Sequence, residues 1–420
     1  MIQRFMRLSV RKALPLAVMM FVLLSCSFNS NTVAVLWTDQ PEFAFYGEEF
    51  NNAQAQYKIE IRYFDSLARE LVRSGAHPDI VVGSWLKSAS TRAYFKSLDG
   101  FLTGKGLSKN DFYSRLLAMG SIDDKQFLLP VSFNAPVLIF ARDKGELLSN
   151  PFTIGFTEIM QLGKDYNIEN NGVYTRMGFS PVWDDNFLYI VAALFRVSFQ
   201  EADPLAWDAA ALERAMSFVY SWTQEVNRNS QSGEDFYFKY FYDPPATLAL
   251  SGRILFTYMS SEELFTLAEE RRNGIDFRWI AEGNRIPLAG SAVYLGLPKK
   301  GKAPKAAAAF VHWFYQAETQ RRLLARGKAN RALETSFGIS GGFSALRPVT
   351  EQIFPQFYPN LLGHMLPEDF LFPANVLPGN WILLKERVIL PYLHERARSV
   401  SRNQVYPLER RLADWQRVNL

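Results

Sequence analysis

Six places in this chain put an aromatic or small residue beside a hydrogen-bonding one. They are Trp37-Thr38-Asp39, Gly83-Ser84-Trp85, Asn134, Trp183-Asp184-Asp185, Ser260-Ser261 and Asn380-Trp381. An indole presents a flat face on which the apolar C–H side of a pyranose stacks, while carboxylates and amides bond its hydroxyls. The same mixture suits a polyamine or other cation, through cation–π attraction and charge pairing. The candidate ligand-binding residues are Trp37, Asp39, Trp85, Asn134, Trp183, Asp184, Ser260, Ser261 and Trp381. Nine tryptophans favour a sugar; Asp39 with Asp184-Asp185 keeps a cation open.

Each candidate also has a structural reading. Trp37 and Trp85 suit caps over a sheet, Asp184 and Asp185 suit a helix cap, Asn134 suits a hinge backbone clamp, and Trp381 suits a core anchor. Trp222, Trp279, Trp313 and Trp415 lie on expected helix faces or strands and are assigned to the core. If the sugar reading holds, Trp183→Ala is expected to weaken binding without unfolding the chain.

Catalytic patterns are sparse. The four histidines, at 77, 312, 364 and 394, have no metal-ligand spacing. "SGGFS" and "LAGSAV" do not match a Gly-x-Ser-x-Gly nucleophile turn. A glycosidase needs only two carboxylates roughly 5 to 9.5 Å apart, which spacing along a chain does not test. The expectation is a binding protein that is not an enzyme, with no cofactor and no metal.

The elements that would position these residues alternate. "TVAVLW" (32–37), "YKIEIRYF" (57–64) and "PDIVVG" (78–83) are short apolar strands, with helical stretches after 41 and over 67–75. This order argues for a parallel sheet in an α/β domain. In "QFLLPVSFNAPVLIFARD" (126–143), Pro130 and Pro136 are expected to prevent regular strand pairing. The third of the chain that follows is mostly helical, with strands expected at 251–261 and 291–299, and the chain after the leader is too long for one ordinary core, so two lobes are expected.

The N-terminus reads as an export leader. Arg4, Arg7, Arg11 and Lys12 precede "ALPLAVMMFVLL", which is shorter than the roughly 20 residues of a membrane span. Leu23-Leu24-Ser25-Cys26 resembles the lipobox of bacterial lipoproteins, which implies that Cys26, the only cysteine, carries lipid. The whole chain has 46 basic and 42 acidic residues; without the four in the leader the two balance. A balanced surface gives no electrostatic case for nucleic acid.

Beyond the leader, the pattern from about 33 to 415 resembles the extracellular solute-binding proteins of ABC importers, in the maltose-type group. "VAVLW" before a helix ending in "EEFN", "LVRSGAHPDIVV", "FLLPVSFNAPVLIFARD", "LALSGRILFTYMSSEEL", "SAVYLGLPKKGKAPKAAAAFVHWFYQAETQRRLL" and "FPANVLPGNWILLKERVILPYL" carry the resemblance through their order and spacing. Two departures, "IFARDKGEL" and "GRILF", weaken any transfer of ligand class.

The resemblance implies a two-lobed, periplasmic-binding-protein-like α/β fold. Each lobe would be a mostly parallel sheet flanked by helices, with the ligand cleft between them and crossings near 133–140, 282–290 and 326–333. The expected division is 1–25 leader, 26–32 lipidated tether, 33–135 and 286–330 lobe 1, and 136–285 and 331–420 lobe 2. It further implies a monomer anchored on the extracytoplasmic side of a bacterial membrane through Cys26, in the periplasm or at the surface. That protein would capture a small solute and deliver it to ABC permease membrane subunits. A ligand-sensing lipoprotein not coupled to transport fits the same residues.

Overall fold

The computed structural model describes residues 32–103, 106–332, 335–399 and 402–419. The expected leader, and Cys26 with it, lie outside the described residues.

The chain begins β1 (Val33–Thr38), α1 (Glu42–Ala53), β2 (Lys58–Tyr63), α2 (Leu67–Arg73), β3 (Ile80–Ser84) and α3 (Ser114–Met119). It continues β4 (Leu128–Asn134), β5 (Pro136–Ala141), β6 (Thr153–Ile154), α4 (Phe156–Tyr166), α5 (Asp185–Leu194), α6 (Ala209–Asn227) and α7 (Ser230–Tyr240). Next come β7 (Thr257–Ser260), α8 (Ser261–Thr266), β8 (Ile275–Ile280), β9 (Ile286–Pro287), β10 (Ala289–Gly296), α9 (Pro304–Phe314) and α10 (Ala317–Ala329). Last are β11 (Phe343–Ser344), β12 (Leu371–Phe372), α11 (Leu390–Ala397) and α12 (Leu408–Asn419).

One sheet has the order β11-β4-β10-β3-β1-β2 and the other β7-β5-β8-β6. The fold is the expected two-lobed α/β arrangement, but the sheets are mixed instead of mostly parallel. β1 pairs in parallel with β2 and β3, whereas β10 runs antiparallel to β3 and β4. In the second sheet β5 is antiparallel to β7 and β8. The reason is the crossings. A strand that enters a lobe from the hinge runs opposite to the strands that end there.

The two prolines do not prevent pairing. Pro136 is the first residue of β5 and sits opposite Ser260, where a missing N–H is tolerated. Pro130 lies inside β4 opposite Tyr294, next to a register shift in β10. The continuous apolar run of β5 has a double purpose. Val137 and Ile139 enter the first core, while Leu138 and Phe140 enter the second, so both faces are covered.

The first core packs Ala34 and Leu36 of β1 against α1 and α9 through Phe43, Phe50, Phe310 and Phe314. On α1 the buried residues Phe43, Tyr46, Gly47 and Phe50 recur at i, i+3, i+4 and i+7, one helical face. The second core gathers α5, α6 and α11 around Trp222 and Phe187.

The segment 331–420 does not go to the second lobe as a block. β11 pairs with β4, and Phe337, Phe343, Phe354 and Leu371 belong to the first core. Leu377 and Trp381 belong to the second core. The residues at 326–333 follow Leu323 and Leu324, which anchor α10 in the first core.

Candidate functional site

The carboxyl ends of β1 and β3 meet the loop before residue 383 across a cavity of about 620 Å³, a size usual for small-molecule sites. Asp39, Ser84, Trp85 and Arg69 line it from the first lobe, and Gly379, Asn380, Ile382 and Trp415 from the second.

Asp39 is the first residue past β1. Gln40 donates to its Oδ1 at 2.6 Å, and the Ser84 amide donates to Oδ2 at 3.4 Å. Burial pushes the Asp39 carboxyl above its ordinary range, against the lowering effect of these bonds. Gly83 makes the approach possible: a Cβ there would lie 2.8 Å from Asp39 Oδ1 and 2.5 Å from Leu67 Cδ2.

Trp85 leaves β3 with φ at 59°, a region that few non-glycine residues occupy. This turn swings its ring away from the sheet and towards the other lobe, where it meets Trp381 edge-on at 6.5 Å. Nearby, Glu201 of the second lobe accepts the Ala89 amide at 2.7 Å. A side chain at Gly379 would press on Ala68 and on Ser88 Oγ, each 3.2 Å from the ideal Cβ.

The other candidates have different placements. Trp37 is 3% exposed and packs with Leu67, Leu71 and Val81, its ring 4.7 Å from Phe64. Strand alternation points it to the face covered by α2, so it is core. Trp381 is 2% exposed between Phe199, Tyr189 and Trp85. It backs the cavity wall without lining it.

Trp183 does not reach the cavity. Its Nε1 donates to the Gly233 carbonyl at 2.9 Å, and its ring stacks on Phe236 at 5.6 Å and 22°. Asp184 caps α5 by accepting the Asn186 amide at 2.7 Å, and burial raises its pKa. Asp185 holds His394 Nδ1 at 2.8 Å.

Asn134, Ser260 and Ser261 form a clamp at the hinge. Ser261 donates to Asn134 Oδ1 at 2.6 Å and accepts the Ala135 amide, and Asn134 Nδ2 donates to the Gly341 carbonyl at 2.7 Å. Ser260 caps α8 in a reciprocal box with Glu263.

Sequence reasoning passed over Trp415 and Arg69. Trp415 sits on an amphipathic helix and reads as core, and Arg69 reads as ordinary helix surface; neither carries a local signal for a cavity. Glu262 lies outside the cavity lining. Burial raises its pKa, and the charges of Glu42, on the first lobe, and Glu263 add to that.

Among the described residues no group of His, Cys, Asp and Glu is arranged to hold a metal ion. No described helix is long and apolar enough to cross a membrane. The arrangement can grip a ligand between an indole, a carboxylate and an amide from opposite lobes.

A family model for bacterial extracellular solute-binding proteins matches residues 46–329. No curated protein matches the sequence. Many solved structures share the fold. A sugar transporter from Rhizobium etli in an open conformation aligns at TM-score 0.61 and 11% identity, over 91% of this chain and 98% of its own. The cyclic alpha-maltosyl-1,6-maltose binding protein of Arthrobacter globiformis aligns at 0.59 and 16%, over 91% and 96%. A maltose-binding periplasmic protein from Listeria monocytogenes, in complex with maltose, aligns at 0.59 and 12%, over 93% and 99%. At these identities the likeness is one of fold.

Proposed function

This chain belongs to the family of bacterial extracellular solute-binding proteins, and from that premise we propose that it captures a carbohydrate in the cavity between its lobes and delivers it to an ABC permease. The observation that carries the reading is the pairing of Trp85 and Asp39 on one wall with Asn380 on the other, around about 620 Å³. The ring supplies a stacking face, and the carboxylate and amide supply partners for hydroxyls. The solved relatives from Arthrobacter and Listeria are named for maltose-type sugars, which supports the same class. No chemistry on the solute is needed for this role.

A cationic solute is the second reading. Burial first, and the Glu42 charge from the other lobe second, raise the pKa of Glu262, and the Glu42 charge adds a little to the upward shift of Asp39. A positive ligand between them would relieve that repulsion.

In this reading Cys26 carries the lipid that keeps the protein at the membrane. Cys26→Ser is expected to release the protein from the membrane fraction, and retention of the variant there would exclude the anchor.

The decisive experiment follows thermal unfolding of residues 27–420 against mono- and oligosaccharides, polyamines and amino acids. A ligand at 100 times its dissociation constant adds about 2.7 kcal/mol, a shift of several degrees. A shift with sugars that Trp85→Gly and Asp39→Asn both diminish supports the proposal. A shift with polyamines alone transfers the site to the cation reading, and a sugar shift untouched by either variant removes this cavity from it.

A further inference from the structure

A second, smaller cavity adjoins the first. Its volume is about 50 Å³, and its walls include Trp85, Met119, Leu288, Tyr294, Ala374 and Leu377. Trp85 also lines the cavity of about 620 Å³. The two spaces lie between the same two strips of chain. Leu86, Lys87 and Ser88 line the smaller one together with residues 373–377, while Ser84 and Ser90 line the larger one together with residues 378–380. The smaller space is a side recess that meets the main cavity at Trp85.

Their chemistry differs. The main cavity offers Asp39, Arg69, Glu201 and Asn380 to a polar ligand. In the recess the polar groups are turned to other work. Ser88 is fully buried, with its hydroxyl 3.0 Å from Ser90 Oγ and 2.9 Å from Thr91 Oγ1. Tyr294 donates its hydroxyl to the Leu116 carbonyl at 3.0 Å, which leaves only its ring for the recess. Burial lowers the pKa of Lys87, and the charge of Arg92 adds to that. A sugar hydroxyl or a water placed among these walls finds few partners and bears the cost of desolvation. An apolar group bears none.

Size narrows the choice. A cavity of about 150 Å³ takes a benzene ring, so one of about 50 Å³ takes about two heavy atoms. That excludes a sugar ring and admits a methyl with the carbon that carries it. Asn375 is the exposed polar residue of the lining. Its Nδ2 donates to the Phe199 carbonyl at 3.5 Å, so its Oδ1 is the acceptor that this wall offers to an amide N–H.

We propose that the solute is an acetamido sugar, with its ring beside Trp85 in the main cavity and the methyl of its N-acetyl group in the recess. The inference rests on the carbohydrate reading given above and narrows it to one substrate class. The ring hydroxyls stay with Asp39 and Asn380, the amide N–H meets Asn375, and the methyl needs no polar partner.

The test is calorimetric titration of the purified full chain with matched pairs. N-acetylglucosamine, N-acetylgalactosamine, N-acetylmannosamine and N,N′-diacetylchitobiose are each compared with glucose, galactose, mannose and cellobiose. At least one acetylated member is expected to bind roughly tenfold or more tightly than its partner. Ala374→Leu fills the recess and is expected to cut that advantage to about twofold or less, with its unfolding midpoint reporting that the variant is folded. Met119→Ala widens the recess and is expected to move the preference from the N-acetyl to the N-butanoyl form of the same sugar. Partners as tight as the acetylated sugars in every pair would overturn the inference and leave the carbohydrate reading in place. A preference that survives Ala374→Leu, or that Met119→Ala leaves on the acetyl group, would overturn it as well. Failure to bind any carbohydrate would overturn the reading itself, and the inference with it.

Discussion

Trp85 and Trp183 look alike in sequence, each an indole beside a polar residue at the end of an element, yet the fold uses them in opposite ways. Trp85 stands on a strained turn after β3, its ring at the wall of an open cavity and facing the other lobe. Trp183 is bonded through Nε1 and stacked on Phe236 inside one lobe, where it ties α7 to the chain before α5. A tryptophan whose ring faces and N–H are all engaged within one lobe has nothing left for a ligand. The contrast lies in the partners of the ring: those of Trp183 are all within its own lobe, whereas Trp85 keeps a place on the cavity wall.

The largest effect should come from breaking the packing member. Trp183→Ala removes a stacked ring and leaves the Gly233 carbonyl without its donor. It is expected to cost about 3 kcal/mol or more of stability, read as a fall in denaturant midpoint. Solute affinity measured well below the transition should stay within about twofold, which reverses the expectation drawn from spacing alone. A tenfold loss of affinity in a fully folded sample would put Trp183 back in the site.

Trp85→Gly should do the converse. Glycine accepts the positive φ, which offsets part of the lost packing, while solute affinity falls roughly 10- to 100-fold, the order of 1.4 to 2.8 kcal/mol. Intact affinity measured by calorimetry would contradict the role given to this wall.

Asp39→Asn sharpens the comparison further, because this side chain is kept charged at some cost. Burial holds its carboxyl above the usual range, so over the window between its unfolded and folded pKa the native state binds the extra proton. Stability therefore falls as pH rises through that window, and the charged form carries the penalty at neutral pH. The variant should match or exceed the parent Tm at pH 7, with the difference fading below the ordinary carboxylate range, while its affinity drops about tenfold. A variant less stable than the parent at pH 7 would mean that the bonds from Gln40 and Ser84 outweigh burial.

The smallest effect belongs to the other lobe. The bond to Asp185 raises the pKa of His394, as do the Asp185 and Glu234 charges. A raised histidine pKa stabilises the folded state fully below the unfolded value near 6.5, and this is lost as pH rises through the folded value. Asp185→Asn should therefore lower Tm more at pH 6 than at pH 8.5. Equal losses at the two pH values would leave His394 out of the account.

Much of the frame was legible from local pattern. The period-two strands at 33–38 and 58–63, the Phe43-Tyr46-Phe50 face and the glycine after Val82 each report a choice made within a few residues. Asp39 and Trp85 follow from the rule that ligands in open α/β sheets gather at the carboxyl ends of strands, and both line the cavity. Trp415 was not, since an aromatic on an amphipathic helix looks the same whether it faces a core or a cavity. Asn134 and Ser261 were chosen as ligand contacts because their chemistry allows it, but each had its bonds taken by the other and by backbone.

By itself, then, the sequence determined the α/β class, the absence of familiar catalytic spacings and the strand ends that line the cavity. These follow from periodicity and residue chemistry, which act over short stretches of chain. Tertiary structure alone decided which tryptophans are packed away from the cavity, that β11 joins β4 in the first sheet, and that the sheets are mixed. Those outcomes depend on contacts between residues far apart in the chain, and such contacts are chosen by the packing of whole elements.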